Sequence, residues 1–326
     1  MNNMEMATIK NPEVLALPAA AIQPVQVSAI ETLKELVPIF LKNICACENS
    51  TDTYHRRIKE WFRYLDAEGI RLPVRETVID FIRYLKDNGK SSNTIVSYIG
   101  IVKAFFAFTA EIGKYPDIAK SVRVKHNNRG FLKNALTVEQ ITALLESIDR
   151  STLEGKRNFA ICNLILRCGL RVIEVTRLDI CDIIMTTSDE GELKIWGKGR
   201  QDKDEICIVT QKALMPIIEY LQARGACNDE AALFASCSYR NKGQRLTTVT
   251  ISSIFKNALR AIELNSKLYT AHSGRHSCAS LAIAAGADIW QVKDMMRHAD
   301  ISTTQRYVHL ADRRNNAAER LLDNQF

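Results

Sequence analysis

The sequence has 326 residues, which is long for one average domain, so two domains are expected. Hydrophobic residues make up 46% of the chain and charged residues 25%, which excludes a fibrous chain or one disordered throughout. The net charge of +7 favours a polyanionic partner. Many soluble enzymes have a similar charge, so this balance alone does not define a function.

The nine cysteines form no Cys-x-x-Cys pair, and their odd number favours free thiols in a reducing cytoplasm. A structural zinc site is therefore not expected. No apolar run approaches the roughly 20 residues that a membrane-spanning helix needs. The apolar stretch from Val14 to Ile30 is broken by Pro18 and Pro24, and we interpret residues 1–28 as a flexible tail rather than an export signal.

Residues 29–113 have the pattern of an all-helical domain. A first helix is predicted over Ile30–Cys45, a second from about Ser50 to Ala67, and a third after Pro73. Ser91 and its polar neighbours can cap a fourth helix. Short links between these segments predict that the four helices pack together.

Residues 114–134 form a predicted basic linker. From Lys114 to Lys133 there are six basic residues against a single acid, Asp117, and no clear periodicity. Such a segment is either a solvated connector or a strap that crosses a phosphate backbone, and the segment alone favours neither.

Residues 135–326 are predicted to form a second domain that is mainly helical with one small antiparallel sheet. A capping box at Thr137–Gln140 begins a helix, and a long apolar helix stops at Gly169. Two short β-type runs, Leu193–Trp196 and Glu205–Val209, flank a polar loop and predict a hairpin. Further helices are predicted over Ala213–Arg224, Thr250–Ile262, His276–Ala285, Ile289–Arg297 and Thr303–Leu310, followed by a tail helix from about Arg313 to Leu322.

Polar residues interrupt this second domain where apolar neighbours predict a core. Arg171 follows a glycine helix stop, where it can project into a cleft, although a simple ion pair with Glu174 would also account for it. Lys198 lies between two glycines on the predicted hairpin. His272 and Arg275 lie three apart at a helix start, so they share a face at a natural anion site.

Two more candidates follow near the end of the chain. His298 lies where a helix ends, and Tyr307 is predicted near the first turn of the next helix. Taken singly, each of these polar residues can be structural. Their joint occurrence, in the order Arg, Lys, His-x-x-Arg, His and Tyr, is what indicates a site.

This order closely resembles the tyrosine recombinase, or lambda-integrase-type, family. The matching segments are Gly-Leu-Arg171-Val-Ile-Glu174, Gly-Lys198-Gly-Arg, His272-Ser-Gly-Arg275-His276 and His298-Ala-Asp-Ile-Ser-Thr-Thr-Gln-Arg-Tyr307. Segments beginning at Thr53 and Thr94 resemble helices of the family's N-terminal core-binding, SAM-like domain, so the resemblance covers roughly residues 29–326. It implies a C-clamp of two domains around duplex DNA. The short leader suits an Xer-like or Cre-like organisation.

The resemblance implies that Tyr307 attacks a DNA phosphodiester and forms a 3′-phosphotyrosyl intermediate without metal or cofactor. Attack places negative charge on the non-bridging oxygens, which Arg171 and Arg275 can bind in bidentate fashion. His298 would be a further donor to these oxygens, and Glu174 would orient Arg171.

Proton transfers complete the implied mechanism. A tyrosine has an unperturbed pKa of about 10, and we expect the neighbouring cations to lower the pKa of Tyr307. His272 is the candidate to accept its proton, and Lys198 the candidate to protonate the leaving 5′-oxygen.

The resemblance also implies double-stranded DNA with specific recombination sites as the partner. It further implies a homotetramer that works through a Holliday junction with exchange of the C-terminal segment 312–326, and no membrane. Integration, excision and resolution are all compatible with it. The expected DNA contacts are basic residues of the second helix, the linker and the hairpin: Arg56, Arg57, Lys59, Arg63, Lys120, Arg123, Lys125 and Arg200.

Three alternatives remain. A type IB topoisomerase or a telomere resolvase would use a similar set of residues, and a non-catalytic DNA-binding regulator could share the fold. A metal site could be assembled from histidines, but Arg275 would lie against the cation and no acidic residue completes the set. Its ligands would be His272, His276, His298 and His309.

Overall fold

The computed structural model describes residues 29–44, 48–124, 134–197 and 202–308. The chain divides into two units, residues 1–128 and 129–326. Each unit has a hydrophobic core of its own among the described residues. The predicted tail 1–28, the tail helix and the C-terminal segment lie outside the described residues.

Four helices build the first unit, as predicted. They are α1 (Ala29–Asn43), α2 (Glu48–Ala67), α3 (Arg75–Asp87) and α4 (Ser92–Glu111). The Ser91 hydroxyl caps α4 by accepting a hydrogen bond from the Thr94 N–H at 3.3 Å. Trp61 of α2 is fully buried, with its ring 5.1 Å from that of Phe81 and 5.9 Å from that of Phe106. Aromatic packing around Trp61 therefore joins α2, α3 and α4.

Helix α4 is the one described helix long and apolar enough to span a membrane by length and composition. Such a helix is weak evidence of a membrane, because the core helix of a soluble domain passes the same test. Ile99, Val102, Phe105 and Phe106 of α4 are buried against the other three helices. The apolar composition of α4 thus reflects its central position in the unit.

The first half of the predicted linker packs on this helical core. Tyr115, Ala119 and Val122 are buried in it, and the Tyr115 hydroxyl donates to the carbonyl of Pro73 at 2.7 Å. Residues 114–124 are therefore not a purely solvated connector, which was one of the two interpretations that their composition left open. The apolar side chains along this stretch are spaced too irregularly for the pattern to reveal their burial. Residues 125–133 lie outside the described residues.

The second unit contains eight described helices. They are α5 (Val138–Glu146), α6 (Leu153–Cys168), α7 (Val172–Arg177), α8 (Gln211–Arg224), α9 (Thr248–Ala261), α10 (Ala271–Ala284), α11 (Ile289–Met295) and α12 (Ile301–Val308). Thr137 begins α5 with the predicted capping box. Helix α6 lies at the centre of the core, with Ile161, Leu164 and Ile165 fully buried.

A three-stranded antiparallel sheet completes this unit, with strands β1 (Ile183–Met185), β2 (Glu190–Ile195) and β3 (Glu205–Thr210) in sequential order. Strands β2 and β3 form the predicted hairpin, with Leu193 opposite Cys207. The sequence pattern missed β1, because three residues are too short to show a period of two. Alternate side chains of β2 and β3 enter the core, which places the hairpin beside α6.

Gly169 sets the path of the chain from α6 into α7. It ends α6 with a φ of 61°, the left-handed conformation that glycine adopts without strain. A Cβ atom at this position would lie 2.6 Å from the sulfur of Met296. Arg171 follows two residues later. Because Gly169 has no side chain, the segment that carries Arg171 can lie close to the segment that carries Met296.

We expect Gly169→Ala to reduce the free energy of unfolding by about 2 kcal/mol or more, because the new methyl group combines backbone strain with a steric clash. Gly286→Ala is the matched control, because Gly286 also has a positive φ, 98°, but open space around its Cα. It should cost only about 1 kcal/mol. Urea denaturation measures both, and equal losses would contradict a role for the Met296 contact.

Candidate active site

Arg171 lies at the corner between α6 and α7, where the sequence placed it. Its backbone N–H donates to the Glu174 carboxylate at 2.8 Å, and its guanidinium donates to the other carboxylate oxygen at 2.5 Å. A second guanidinium N–H donates to the carbonyl of Arg297 at 3.1 Å. The ion pair with Glu174 thus exists, and it orients a guanidinium that remains partly exposed.

Helix α10 carries His272 and Arg275 in its first two turns, as predicted. Arg275 is 2% exposed, and its guanidinium donates to the backbone carbonyls of Gly169 and Met296. His272 is exposed. Together with Arg171, both side chains line one open cavity of about 510 Å³, which α9 borders through Thr248, Val249 and Ser252.

Tyr307 is buried between two histidines. Its ring is parallel to that of His298 at 6.2 Å between centroids and meets His276 edge-on at 4.9 Å. Tyr307 lies in the second turn of α12, which begins at Ile301, close to the first turn where the sequence predicted it. Its side chain packs with Ala279 of α10 in one buried cluster.

Burial dominates the electrostatics of Tyr307 in the free protein. Loss of solvent raises the pKa of its hydroxyl, and the lowering effects of Arg275 and Arg171 do not fully offset this. The expectation that the neighbouring cations lower this pKa overall was therefore wrong for the protein without DNA. The two arginines do act in the expected direction, which places them within electrostatic reach of Tyr307.

His298 is buried beside this cationic group and accordingly stays neutral. Burial, together with the repulsion of Arg275 and Arg171, lowers its pKa to about 4. Its Nδ1 atom lies 2.8 Å from the Thr304 hydroxyl. When Thr304 donates this hydrogen bond, the Nε2 atom of the neutral ring carries the proton, so His298 can serve as a donor without a charge.

Three guanidinium groups share the buried carboxylate of Glu174. Besides Arg171, the Arg297 guanidinium donates to it at 3.0 Å, and a nitrogen of Arg275 lies 3.8 Å away. Burial by itself would raise the pKa of Glu174, but the three arginines, Arg297 first, hold it below its usual value. Burial, with the repulsion of Arg171 and Arg297, lowers the pKa of Arg275 to about 10. An anion in the cavity would relieve this excess of positive charge.

Several predicted site residues lie elsewhere or outside the described residues. Lys198 and Arg200 belong to the hairpin tip, which the structure does not describe, and Lys125 is likewise outside it. Arg57 donates to the Ser97 hydroxyl and lies over the ring of Tyr98, so it packs between α2 and α4. The remaining predicted DNA contacts are exposed: Arg56, Lys59, Arg63, Lys120 and Arg123.

Three contacts of the site were not predicted from the sequence. Arg297 pairs with Glu174, Thr304 contacts His298, and His276 packs against Tyr307. Arg297 stands directly beside a predicted site residue, which is its only sequence signal, and His276 was considered only as a ligand of the alternative metal site. Among the residues that the structure describes, no three His, Cys, Asp or Glu side chains are grouped so that they could hold a metal ion.

Comparison with known families now identifies the class of protein. Residues 134–314 match the phage integrase family, and residues 40–112 match the phage integrase N-terminal SAM-like domain. The first match covers more than half of the chain. The protein therefore belongs to the phage integrase family, the tyrosine recombinases.

Individual relatives agree with this assignment. The tyrosine recombinase XerD of Rickettsia prowazekii (strain Madrid E) is 28% identical over 296 residues, which cover 86% of this chain and 93% of that protein. The XerH site-specific recombinase, solved as a post-cleavage complex with palindromic difH substrate, matches with a TM-score of 0.68 at 21% identity over 89% of this chain and 85% of that chain. A lambda integrase tetramer bound to a Holliday junction matches with a TM-score of 0.64 at 14% identity over 85% and 76%. At these identities the two structures establish the fold.

We expect the buried neutral state of His298 to make stability depend on pH. The imidazole of His298 takes up a proton near pH 6.5 in the unfolded chain, but only near pH 4 in the folded protein. Stability should therefore fall as the pH falls from about 6.5 to 4, by on the order of 2 kcal/mol from this residue. His298→Gln should flatten this part of the stability curve, and the exposed His55→Gln should not. If stability depended on pH in His298→Gln as it does in the wild type, His298 would not be the group responsible for this dependence.

Proposed function

We propose that this protein is a site-specific DNA recombinase that cuts and rejoins DNA through a 3′-phosphotyrosyl intermediate and a Holliday junction. The observation that supports this most directly is the position of Tyr307 within electrostatic reach of Arg171 and Arg275, which share one cavity wall. A nucleophile beside two fixed guanidiniums suits attack on a phosphodiester. Tyr307 lies in the site of its own chain, which supports cleavage in cis.

Phosphate binding would occur in the cavity lined by Arg171, His272 and Arg275. The Arg171 guanidinium is partly exposed and held at its base by Glu174, so it can donate to a non-bridging oxygen without reorganising. Arg275 is held by two backbone carbonyls, and its charge stabilises the additional negative charge that forms as Tyr307 attacks. Neutral His298 would donate a further hydrogen bond from Nε2.

The cleavage step exchanges one phosphodiester bond for another. The Tyr307 oxygen bonds to phosphorus, the bond to the 5′-oxygen breaks, and the hydroxyl proton of Tyr307 must leave during attack. Because burial raises the pKa of Tyr307, a base is needed, and we assign this role to His272 at the cavity edge. Lys198 on the hairpin would supply the proton to the leaving 5′-oxygen. Reversal of these steps rejoins the strand, so no external energy source, metal or cofactor is needed.

Double-stranded DNA with specific recombination sites is the proposed partner. The XerH and lambda integrase structures are complexes with DNA, and the latter is a tetramer on a Holliday junction. We assign the same partner and a homotetramer to this chain, with both domains on the duplex and the C-terminal segment exchanged between protomers. Arg56, Lys59 and Arg63 give α2 an exposed basic side for phosphate contacts, and Lys120 and Arg123 are further exposed basic residues of the same unit. Because the proposed partner is cellular DNA, we propose that the protein acts in the cytoplasm.

The central test uses a DNA substrate with a nick beside the cleavage position, which traps the covalent complex. Wild-type protein should become linked to its specific DNA and should do so equally well with a chelator present. Tyr307→Phe lacks the nucleophilic oxygen, so it should bind the same DNA with unchanged affinity and form no covalent complex. Denaturing electrophoresis detects the linkage. Binding without linkage by the wild type would favour the non-catalytic regulator.

A second assay separates recombinase from topoisomerase. Supercoiled DNA without paired recombination sites should be relaxed poorly, whereas DNA with two sites should yield recombinant product. We expect at least a tenfold preference for recombination, on the order of magnitude that site-specific DNA recognition provides. Efficient relaxation independent of sites would instead identify a type IB topoisomerase.

A further inference from the structure

Arg297, directly before His298, has an unusual backbone conformation. Its φ is 51°, and among the described residues only Glu263 is another non-glycine residue in this left-handed region. The conformation is held by hydrogen bonds from the Arg297 N–H to Asp294 at 2.9 Å and from the His298 N–H to Lys293 at 3.0 Å. Such a backbone is strained for any residue except glycine. An arginine at this position therefore needs a compensating interaction of its side chain.

The side chain of Arg297 is 4% exposed and contacts three elements of the second unit. It donates to the Glu174 carboxylate at 3.0 Å and to the carbonyl of Met295 at 2.9 Å. Its Nε atom lies 3.9 Å from the carboxylate of Glu205, the first residue of β3. Burial of an unpaired guanidinium would be strongly unfavourable, so these carboxylates account for its stability in the core.

The backbone of the same residue contacts the candidate active site from the other side. The Arg297 carbonyl accepts a hydrogen bond from the Arg171 guanidinium at 3.1 Å, and the preceding carbonyl, of Met296, accepts one from Arg275. Arg297 thus meets Arg171 through its carbonyl, Glu174 through its guanidinium, and His298 through the peptide bond. Glu205 adds a contact to the hairpin whose tip carries Lys198.

We propose that Arg297 is a positioning residue for DNA cleavage, which holds the Glu174 carboxylate in place against Arg171 and connects β3 to the segment carrying His298. This proposal rests on the function proposed above. Arg297 touches none of the reacting atoms in this arrangement. Its effect on the reaction passes through the orientation of Arg171 and the placement of the hairpin.

A specific pH dependence follows from this role. Arg171 from the α7 corner, Arg275 from α10, Arg297 from the α11–α12 connection and Cys207 from β3 are the titratable groups that act on Glu174. Burial acts to protonate Glu174, and Arg297 is first among the groups that oppose it. Without the guanidinium, Glu174 takes up a proton at higher pH and releases its hold on Arg171. Cleavage should then fail at a higher pH than in the wild type.

Arg297→Gly is the informative variant, because glycine retains the left-handed backbone and removes only the side chain. With the nicked substrate, its rate of covalent complex formation should fall about 10- to 100-fold, as misplacement of a substrate-binding group does. The acid limb of its pH–rate profile, where cleavage is lost as the pH falls, should move to a pH about 0.5 to 1 unit higher than in the wild type. DNA affinity should change less than about threefold, since no phosphate contact is removed.

Three control variants separate the effects of the side chain, its charge and the backbone. Glu263→Gly relieves the same kind of positive φ at an exposed position, and it should cleave as the wild type does. Arg297→Lys retains a charge beside Glu174, so its acid limb should stay near the wild-type position. Glu205→Gln removes only the contact with β3 and should slow cleavage without moving the acid limb.

Several outcomes would overturn the proposal. Wild-type rates in Arg297→Gly would do so, and so would a loss that is uniform across pH, since that indicates a structural role alone. An acid limb in Arg297→Lys that shifts as far as in Arg297→Gly would also contradict it. Carboxyl-carbon NMR of Glu174 in the DNA-free protein provides a readout independent of cleavage. We expect the pKa of Glu174 to be higher in Arg297→Gly than in the wild type, and an unchanged pKa would refute the proposal. This test does not depend on whether the wild type forms a covalent complex with DNA.

Discussion

The second unit depends on one buried carboxylate that must balance more than one positive charge. Glu174 is 2% exposed and faces the guanidiniums of Arg171, Arg275 and Arg297, which come from three separate segments of the chain. Arg171 and Arg275 donate additionally to backbone carbonyls of other segments, those of Arg297 and Gly169. The chain paths around Gly169 and Met296 are therefore held together by charge-assisted hydrogen bonds. The positive charge that remains faces a cavity where a phosphate can be bound.

The groups to which the proposed mechanism assigns reactive roles are neutral in the protein without DNA. Tyr307 keeps its proton because burial outweighs the nearby arginines, and His298 stays unprotonated because burial and those same arginines both oppose a second positive charge. A bound phosphodiester would bring the missing negative charge into the cavity. In the mechanism proposed above, the nucleophile would thereby be protected from premature ionisation, and removal of its proton would be coupled to the attack on phosphate.

The contacts of the candidate site cross much of the sequence. Arg171, Glu205, Arg275 and Arg297 are widely spaced along the chain, yet β3, α7, α10 and the connection after α11 all meet around Glu174. Glu205, the first residue of β3, connects the described part of the hairpin to this group through its pair with Arg297.

The sequence by itself predicted most of the elements and the candidate site residues. Helical periodicity, the caps at Ser91 and Thr137 and the glycine stop at Gly169 are local signals, so α4, α5 and the end of α6 were predictable. The ordered motifs likewise identified Arg171, Arg275, His298 and Tyr307. Only the tertiary structure decided that residues 114–124 join the helical core, that burial raises the pKa of Tyr307, and that Arg297 pairs with Glu174. These properties depend on solvent exclusion and on contacts between distant segments, which no local pattern in the chain encodes.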